Sequence, residues 1–262
     1  FIIFCCFAYE LIMSKPEIAA VVGGLLPTTE IIMNGDMLYI AIGILGATVM
    51  PHNLYLHSSI VQTRNFERND DGKKQAIKYA TIDSTVSLLL AFFINAAILI
   101  LAASAFHYNG HKEVADINDA YKLLEPVLGV KIASTFFAIA LLASGQNSTL
   151  TGTLAGQIVM EGFLNIKLKP WMRRLLTRLI AVVPALIVSI LYGEQGAGTL
   201  LILSQVILSV QLSFAVVPLL QFTGNKTKMA QFVNSQILQI TAWIIAIIII
   251  VLNGVMLWNT FA

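Results

Sequence analysis

Apolar runs of about 20 residues or more recur along this chain, and they constrain its fold more than any other feature, because each can cross a hydrocarbon core of about 30 Å as a helix. Inside a bilayer no water is at hand for backbone N–H and C=O groups, so a spanning segment must be a helix or part of a closed barrel. The short alternating segments of a membrane barrel are absent. Only 11% of the residues are charged, against roughly 25% in soluble domains. The expected fold class is therefore an all-α polytopic membrane protein, with the lipid bilayer as its first partner and residues 1–262 as a single membrane domain. The net charge of +2 gives nucleic-acid binding no support.

Residues 1–13 read as the end of a spanning helix, followed by a loop holding Lys15, Pro16, Pro27 and Asn34-Gly35. A second span runs from about Met37 to Val61 and is interrupted at Gly46 to Pro51. A polar stretch from Arg64 to Lys78 predicts a loop or short surface helix, and a third span follows over about Ile82 to Phe106. A loop with Glu113, Asp116, Asp119 and Glu125 leads to a fourth span, about Val130 to Phe163, whose polar Ser144 to Thr153 half suits close helix packing. After the basic connector 164–178 come spans at about Leu179 to Tyr192 and Leu200 to Phe222, with a Gly193 to Gly198 turn between them. The last span, about Phe232 to Leu257, reads as a lipid-facing helix because Ile244 to Leu252 is almost wholly branched aliphatic. Cys5 and Cys6 are adjacent and read as packing residues. The chain opens on Phe-Ile-Ile-Phe without Met, so it is expected to start within a helix, with an upstream portion missing.

Loop charges predict the orientation. The loops after the second, fourth and sixth spans carry eleven Lys and Arg, from Arg64 to Lys228, and the alternate loops carry four, Lys15, Lys112, Lys122 and Lys131. By the positive-inside rule the broken span descends toward the cytoplasm and the C-terminus lies outside.

The interrupted span holds the candidate chemistry. Pro51 has no N–H to give the carbonyl four residues back, so the Ala47 oxygen is left as an acceptor at membrane depth, where irregular backbone is tolerated only against protein or a water-filled cavity. Met50 places a soft thioether beside that hard carbonyl, a combination that suits a transition-metal ion. Packing offers another account, with Met50 filling a gap and Pro51 only kinking the helix. His52 and His57 lie about 140° apart around a helix and so do not share one metal; proton handling and helix–helix hydrogen bonding are both open to them. Arg178 faces an inner proton path or snorkels to the interface. Gln205 and Gln211 could each offer an amide oxygen, but they point about 240° apart, so at most one faces a cavity. Asn95, mid-span, should not face lipid.

Ala47-Thr48-Val49-Met50-Pro51-His52-Asn53-Leu54-Tyr55-Leu56-His57-Ser58 resembles the sixth-helix signature of the Nramp family of proton-coupled divalent metal transporters. Gly145-Gln146-Asn147-Ser148-Thr149-Leu150-Thr151-Gly152-Thr153, continuing to Leu164, resembles that family's transport signature. Ser204-Gln205-Val206-Ile207-Leu208-Ser209-Val210-Gln211-Leu212-Ser213-Phe214-Ala215 resembles its tenth helix. The resemblance implies a leucine-transporter-like inverted-repeat fold with the N-terminal repeat missing: the chain would run from the end of the fifth helix through the eleventh, with 37–63 as the broken sixth. It implies that Ala47 offers its carbonyl and Met50 its sulfur to the metal, and that Gln205 approaches when the site closes. His52 and His57 match positions implicated in proton coupling, and Arg178 would lie on the inner proton route. The family's Asp-Pro-Gly-Asn ligand motif has no counterpart here, since Asp-Pro-Gly does not occur in the chain. Neutral ligands alone would not offset a dication's desolvation, so transport is expected to need that absent repeat.

The function implied is import of Mn²⁺ or Fe²⁺ with protons by alternating access, by a monomer in a bacterial plasma membrane, with metal and protons as substrates and no cofactor. A passive metal-permeable channel is one alternative, and a related symporter for an organic solute, in which the Met50 thioether would have no purpose, is another. An enzyme is not expected: histidines 52, 57, 107 and 111 assemble no nucleophile–base pair or zinc-ligand set.

Overall fold

The structure, a computed structural model, describes residues 1–110, 114, 117–130, 132–162 and 169–261. Among these, five helices are long and apolar enough to cross a membrane: Gly35–Gln62, Asp70–His107, Arg174–Gly193, Gly198–Thr223 and Gln236–Asn259. The expected fourth span corresponds to a helix of 30 residues, Ala133–Gly162, long enough to span, but its hydroxyl- and amide-rich second half keeps it out of that apolar set. The chain packs as two compact units, one formed by Phe1–Pro27 and Asn65–Leu154 and the other by Thr28–Arg64 and Ala155–Ala262.

The first unit opens with α1, Ile2–Ser14, and a short α2, Ile18–Gly24, within what the sequence predicts as loop. Its longest helix is α6, Asp70–Ala102, which starts twelve residues before the predicted third span. Asn69 explains that early start: its side-chain oxygen accepts from the Gly72 N–H at 2.7 Å, and Asp70 and Asp71 in the first turn meet the positive end of the helix dipole. A π-helical turn, Ala103–His107, continues it. Another helix, α7, Ile117–Leu128, occupies part of the predicted acidic loop, because its apolar residues recur at helical spacing and bury Leu124 completely. The Ser134 hydroxyl, at the start of α8 (Ala133–Gly162), donates to the Tyr121 carbonyl at 2.7 Å. Cys6 and Phe7 of α1 share one core with Ala97, Leu101, Ala105, Phe106, Leu124, Ala133 and Ala140. Phe7 meets Phe137 edge-on at 6.3 Å, and Tyr9 meets Phe136 at 4.9 Å.

The second unit contains α3, Thr29–Met33, α4, Gly35–Thr48, α5, Pro51–Gln62, α9, Pro170–Thr223, α10, Lys226–Met229, and α11, Gln236–Phe261. The predicted turn in α9 narrows to one non-helical residue, Gly193, with φ 68° and ψ −160°, backbone torsions open in practice only to glycine. The core joins Leu38 and Ile42 of α4, Val206 of α9 and Met256 of α11, with Tyr39, Val210, Leu252 and Val255 around it. Here the reading of α11 as lipid-facing needs correction. Ile244, Ile245, Ile247 and Ile248 are indeed exposed, but Ala246, Asn253 and Met256 are buried, because one face of this helix packs on α4 and α9.

Candidate functional site

The interruption predicted from Pro51 is present. α4 ends at Thr48 and α5 begins at Pro51, which takes the first helical position where its missing N–H costs nothing. Val49 (φ −114°, ψ 73°) and Met50 (φ −71°, ψ 125°) join the two halves in non-helical conformations. The Val49 N–H donates to the Leu45 carbonyl at 2.9 Å and the Asn53 N–H to the Met50 carbonyl at 3.0 Å. Ala47 lies in the last turn of α4, where carbonyls lack intrahelical partners, and Pro51 has no N–H to offer its oxygen. Ala47 is exposed and Met50 half-buried, three residues apart across the break.

Gly46 fixes where that break lies. A Cβ built on it would overlap the Gln205 carbonyl oxygen and stand 2.9 Å from both Gln205 C and Ser209 N. The backbones of α4 and α9 therefore touch directly at this level, which only glycine permits. At Gly43, one turn earlier, a Cβ would meet Val206 Cγ2 at 3.6 Å and Ile202 Cγ2 at 3.7 Å, an ordinary packing distance. α11 fastens the same level from another side: Asn253 Nδ2 donates to the Ser209 carbonyl at 3.3 Å and to the Ile249 carbonyl at 2.9 Å.

Gln205 is thus brought by its backbone to the residue preceding Ala47. Its Nε2 donates to Ser204 Oγ at 3.2 Å, while its Oε1 is buried without a partner among the described residues. Ser209 Oγ, Ser213 Oγ and Asn253 Oδ1 share that condition. A buried amide oxygen left unpaired costs free energy, so the Gln205 side chain carries a ready acceptor. Gln211 is exposed and lines an apolar groove with Tyr39, Phe214 and Met256, in keeping with the two amides lying on different faces of α9.

The remaining candidates separate. His52 is half-buried in α5, and His57 is exposed on the same helix. Arg178 is exposed in the first half of α9. Asn95 is exposed on α6, in the other unit. His107 ends the π-helical turn and is exposed; His111 lies outside the described residues. No group of three His, Cys, Asp or Glu side chains able to hold a metal occurs among the described residues. The contacts of Gly46, Ser209 and Asn253 are what sequence reasoning missed; the one available signal was Asn253, the single amide within the apolar run from Ile244 to Trp258.

Residues 1–259 match the family model described as natural resistance-associated macrophage protein-like. The chain is 63% identical over 258 residues to a protein named divalent metal cation transporter MntH from Listeria welshimeri, covering 98% of this chain and 58% of that relative. Proteins of the same name from Bradyrhizobium diazoefficiens and a Nostoc species are 58% identical over 259 residues and 59% identical over 249 residues. They cover 99% and 95% of this chain, which spans 58% and 56% of their lengths.

Proposed function

We infer that this chain, which belongs to the Nramp family, carries part of the ion-binding site of a transporter for divalent transition-metal cations, Mn²⁺ and Fe²⁺, in a bacterial plasma membrane. The observation that carries the reading is the α4–α5 break, which holds Ala47 and Met50 and whose neighbouring Gly46 admits the Gln205 backbone. A break in a membrane helix offers carbonyls that replace part of an ion's hydration without trapping it. Met50 acts in selectivity: its sulfur favours transition metals over calcium, which prefers oxygen. The Gln205 amide oxygen, without a partner among the described residues, turns to the ion when the site closes.

These three ligands are neutral, so the negative charge that offsets a dication comes from other groups of the transporter. Protons accompany the metal, with His52 and His57 on α5 taking part in the coupling and Arg178 on the inner route. The site is exposed to one side of the membrane at a time, in a leucine-transporter-like arrangement with the C-terminus outside, as the loop charges indicate.

The test is uptake by the intact protein in proteoliposomes. The Met50→Ala variant should keep part of its Mn²⁺ uptake and lose discrimination against Ca²⁺. Unchanged calcium exclusion would remove Met50 from the site. Acidifying the side from which metal enters should speed concentrative uptake, and His52→Ala should blunt that response; purely downhill, pH-independent flux would overturn the coupling.

A further inference from the structure

One acidic side chain takes no part in the α4–α5 break. Glu10 of α1 is 0% exposed, the only acid that is buried among the described residues. Both of its carboxylate oxygens are without a hydrogen-bond partner among those residues. It belongs to the first unit, where α1 packs on α6 and meets α8 through the ring pairs of Phe7 with Phe137 and Tyr9 with Phe136. One helical turn before it stands Cys6, also buried.

Among the described residues, the helices packed around Glu10 bring no positive charge to it. Between Asp83 and His107 the sequence of α6 and its π-helical extension has no ionisable residue, and α8 has none before Glu161. Asp119, Lys122 and Glu125 of α7 are exposed, as is His107. An ionised carboxylate in such a setting would have neither water nor a cation, and buried charges without partners neutralise instead. Within a membrane protein an ionisable group of this kind marks a functional position more often than a structural one.

We propose that Glu10 is a proton-binding site, separate from the metal-binding break: it holds a proton while α1 packs against α6 and α8, and gives it to water when that packing opens. Acid then favours the packed arrangement of the first unit. The sign follows from linkage, since the open form binds fewer protons: raising the pH favours opening, up to about tenfold per pH unit for one proton released.

The experiment uses the intact protein in lipid. Infrared difference spectroscopy at neutral pH should show the carbonyl band of one neutral carboxylic acid that disappears in Glu10→Gln and shifts in Glu10→Asp. Hydrogen exchange of the α1 amides, corrected for the intrinsic effect of pH, should accelerate with rising pH in the wild type and stay flat in Glu10→Gln. Absence of the band from the wild type at neutral pH, or its survival in Glu10→Gln, overturns the proposal, and so does an equal pH slope in both proteins. If Glu10→Gln fails to fold, Glu10→Asp carries the test, and an unshifted band there overturns it equally. Neither readout depends on metal, so the outcome is distinct from that of the Met50→Ala test.

Discussion

Gly46→Ala adds a single methyl group at the point where α4 and α9 touch. That methyl would overlap the Gln205 carbonyl oxygen and lie 2.9 Å from Gln205 C and Ser209 N. All three atoms are backbone in the middle of a helix, so no side-chain rotation can relieve the overlap. Reaching ordinary contact, roughly 3.4–4 Å for carbon against such atoms, requires one helix to move by more than about an ångström, because the Gln205 carbonyl oxygen is the closest of the three, and the Leu38, Ile42, Val206 and Met256 core to open with it. Overpacking of this kind costs about 1–3 kcal/mol. Gly43→Ala is the matched control, because its methyl meets Val206 Cγ2 at 3.6 Å, Ile202 Cγ2 at 3.7 Å and the Ile202 carbonyl oxygen at 4.0 Å, all ordinary contacts. With the helix-stiffening advantage of alanine over glycine, about 0.5–1 kcal/mol, it should be neutral or slightly stabilising. Denaturant or thermal unfolding of the purified protein in detergent, read beside Mn²⁺ binding by calorimetry, separates the two. Gly46→Ala should lower both stability and metal affinity, since Ala47 is the next residue and binding groups must be held within about 0.5 Å. If Gly46→Ala proved as stable as Gly43→Ala and bound metal normally, the backbone contact would not be what positions the break.

Two further substitutions probe neighbouring features. Asn253→Ala removes both hydrogen bonds to the Ser209 and Ile249 carbonyls; for the interhelical one, membrane examples average about 0.6 kcal/mol and reach about 1.7 kcal/mol, so a loss of that size is expected in the same unfolding assay, and no loss would mean that α11 does not brace the site. Arg178→Lys keeps a cation on exposed α9: a merely snorkelling residue tolerates the change, whereas a residue on the proton route should alter the pH dependence of uptake in proteoliposomes while leaving Mn²⁺ binding intact.

The break between α4 and α5 was legible because it follows from covalent chemistry, as Pro51 lacks the N–H that the Ala47 carbonyl needs and suits a first helical position; proline alone does not decide it, since Pro126, Pro184 and Pro218 lie inside helices. The spans followed from composition for the same kind of reason, as each apolar run has only one way to satisfy its backbone in lipid. What could not be read depends on neighbours far away in the chain. Gly46 looks like any glycine until Gln205 stands against it, and Asn253 looks like a flaw in an aliphatic run until Ser209 presents a carbonyl. Glu10 escaped notice because a single acid near the end of an apolar helix normally reaches water, and only the packing of α1 with α6 and α8 denies it that. The α7 helix was hidden by its acids, which signalled loop while the apolar spacing around Leu124 decided helix.

Gly193 bears on how the protein enters its membrane. The spans Arg174–Gly193 and Gly198–Thr223 are separated by residues 194–197 alone, and that tip contains no lysine or arginine. The basic residues that could anchor either span lie at the far ends of the pair, Arg173 and Arg174 before it and Lys226 and Lys228 after it. Neither crossing therefore has an orienting charge at the tip, and the connection is too short for one to be completed and released before the other begins. Two spans joined in this way suit entry into the bilayer as a pair, with basic residues at both ends of the pair and none between them.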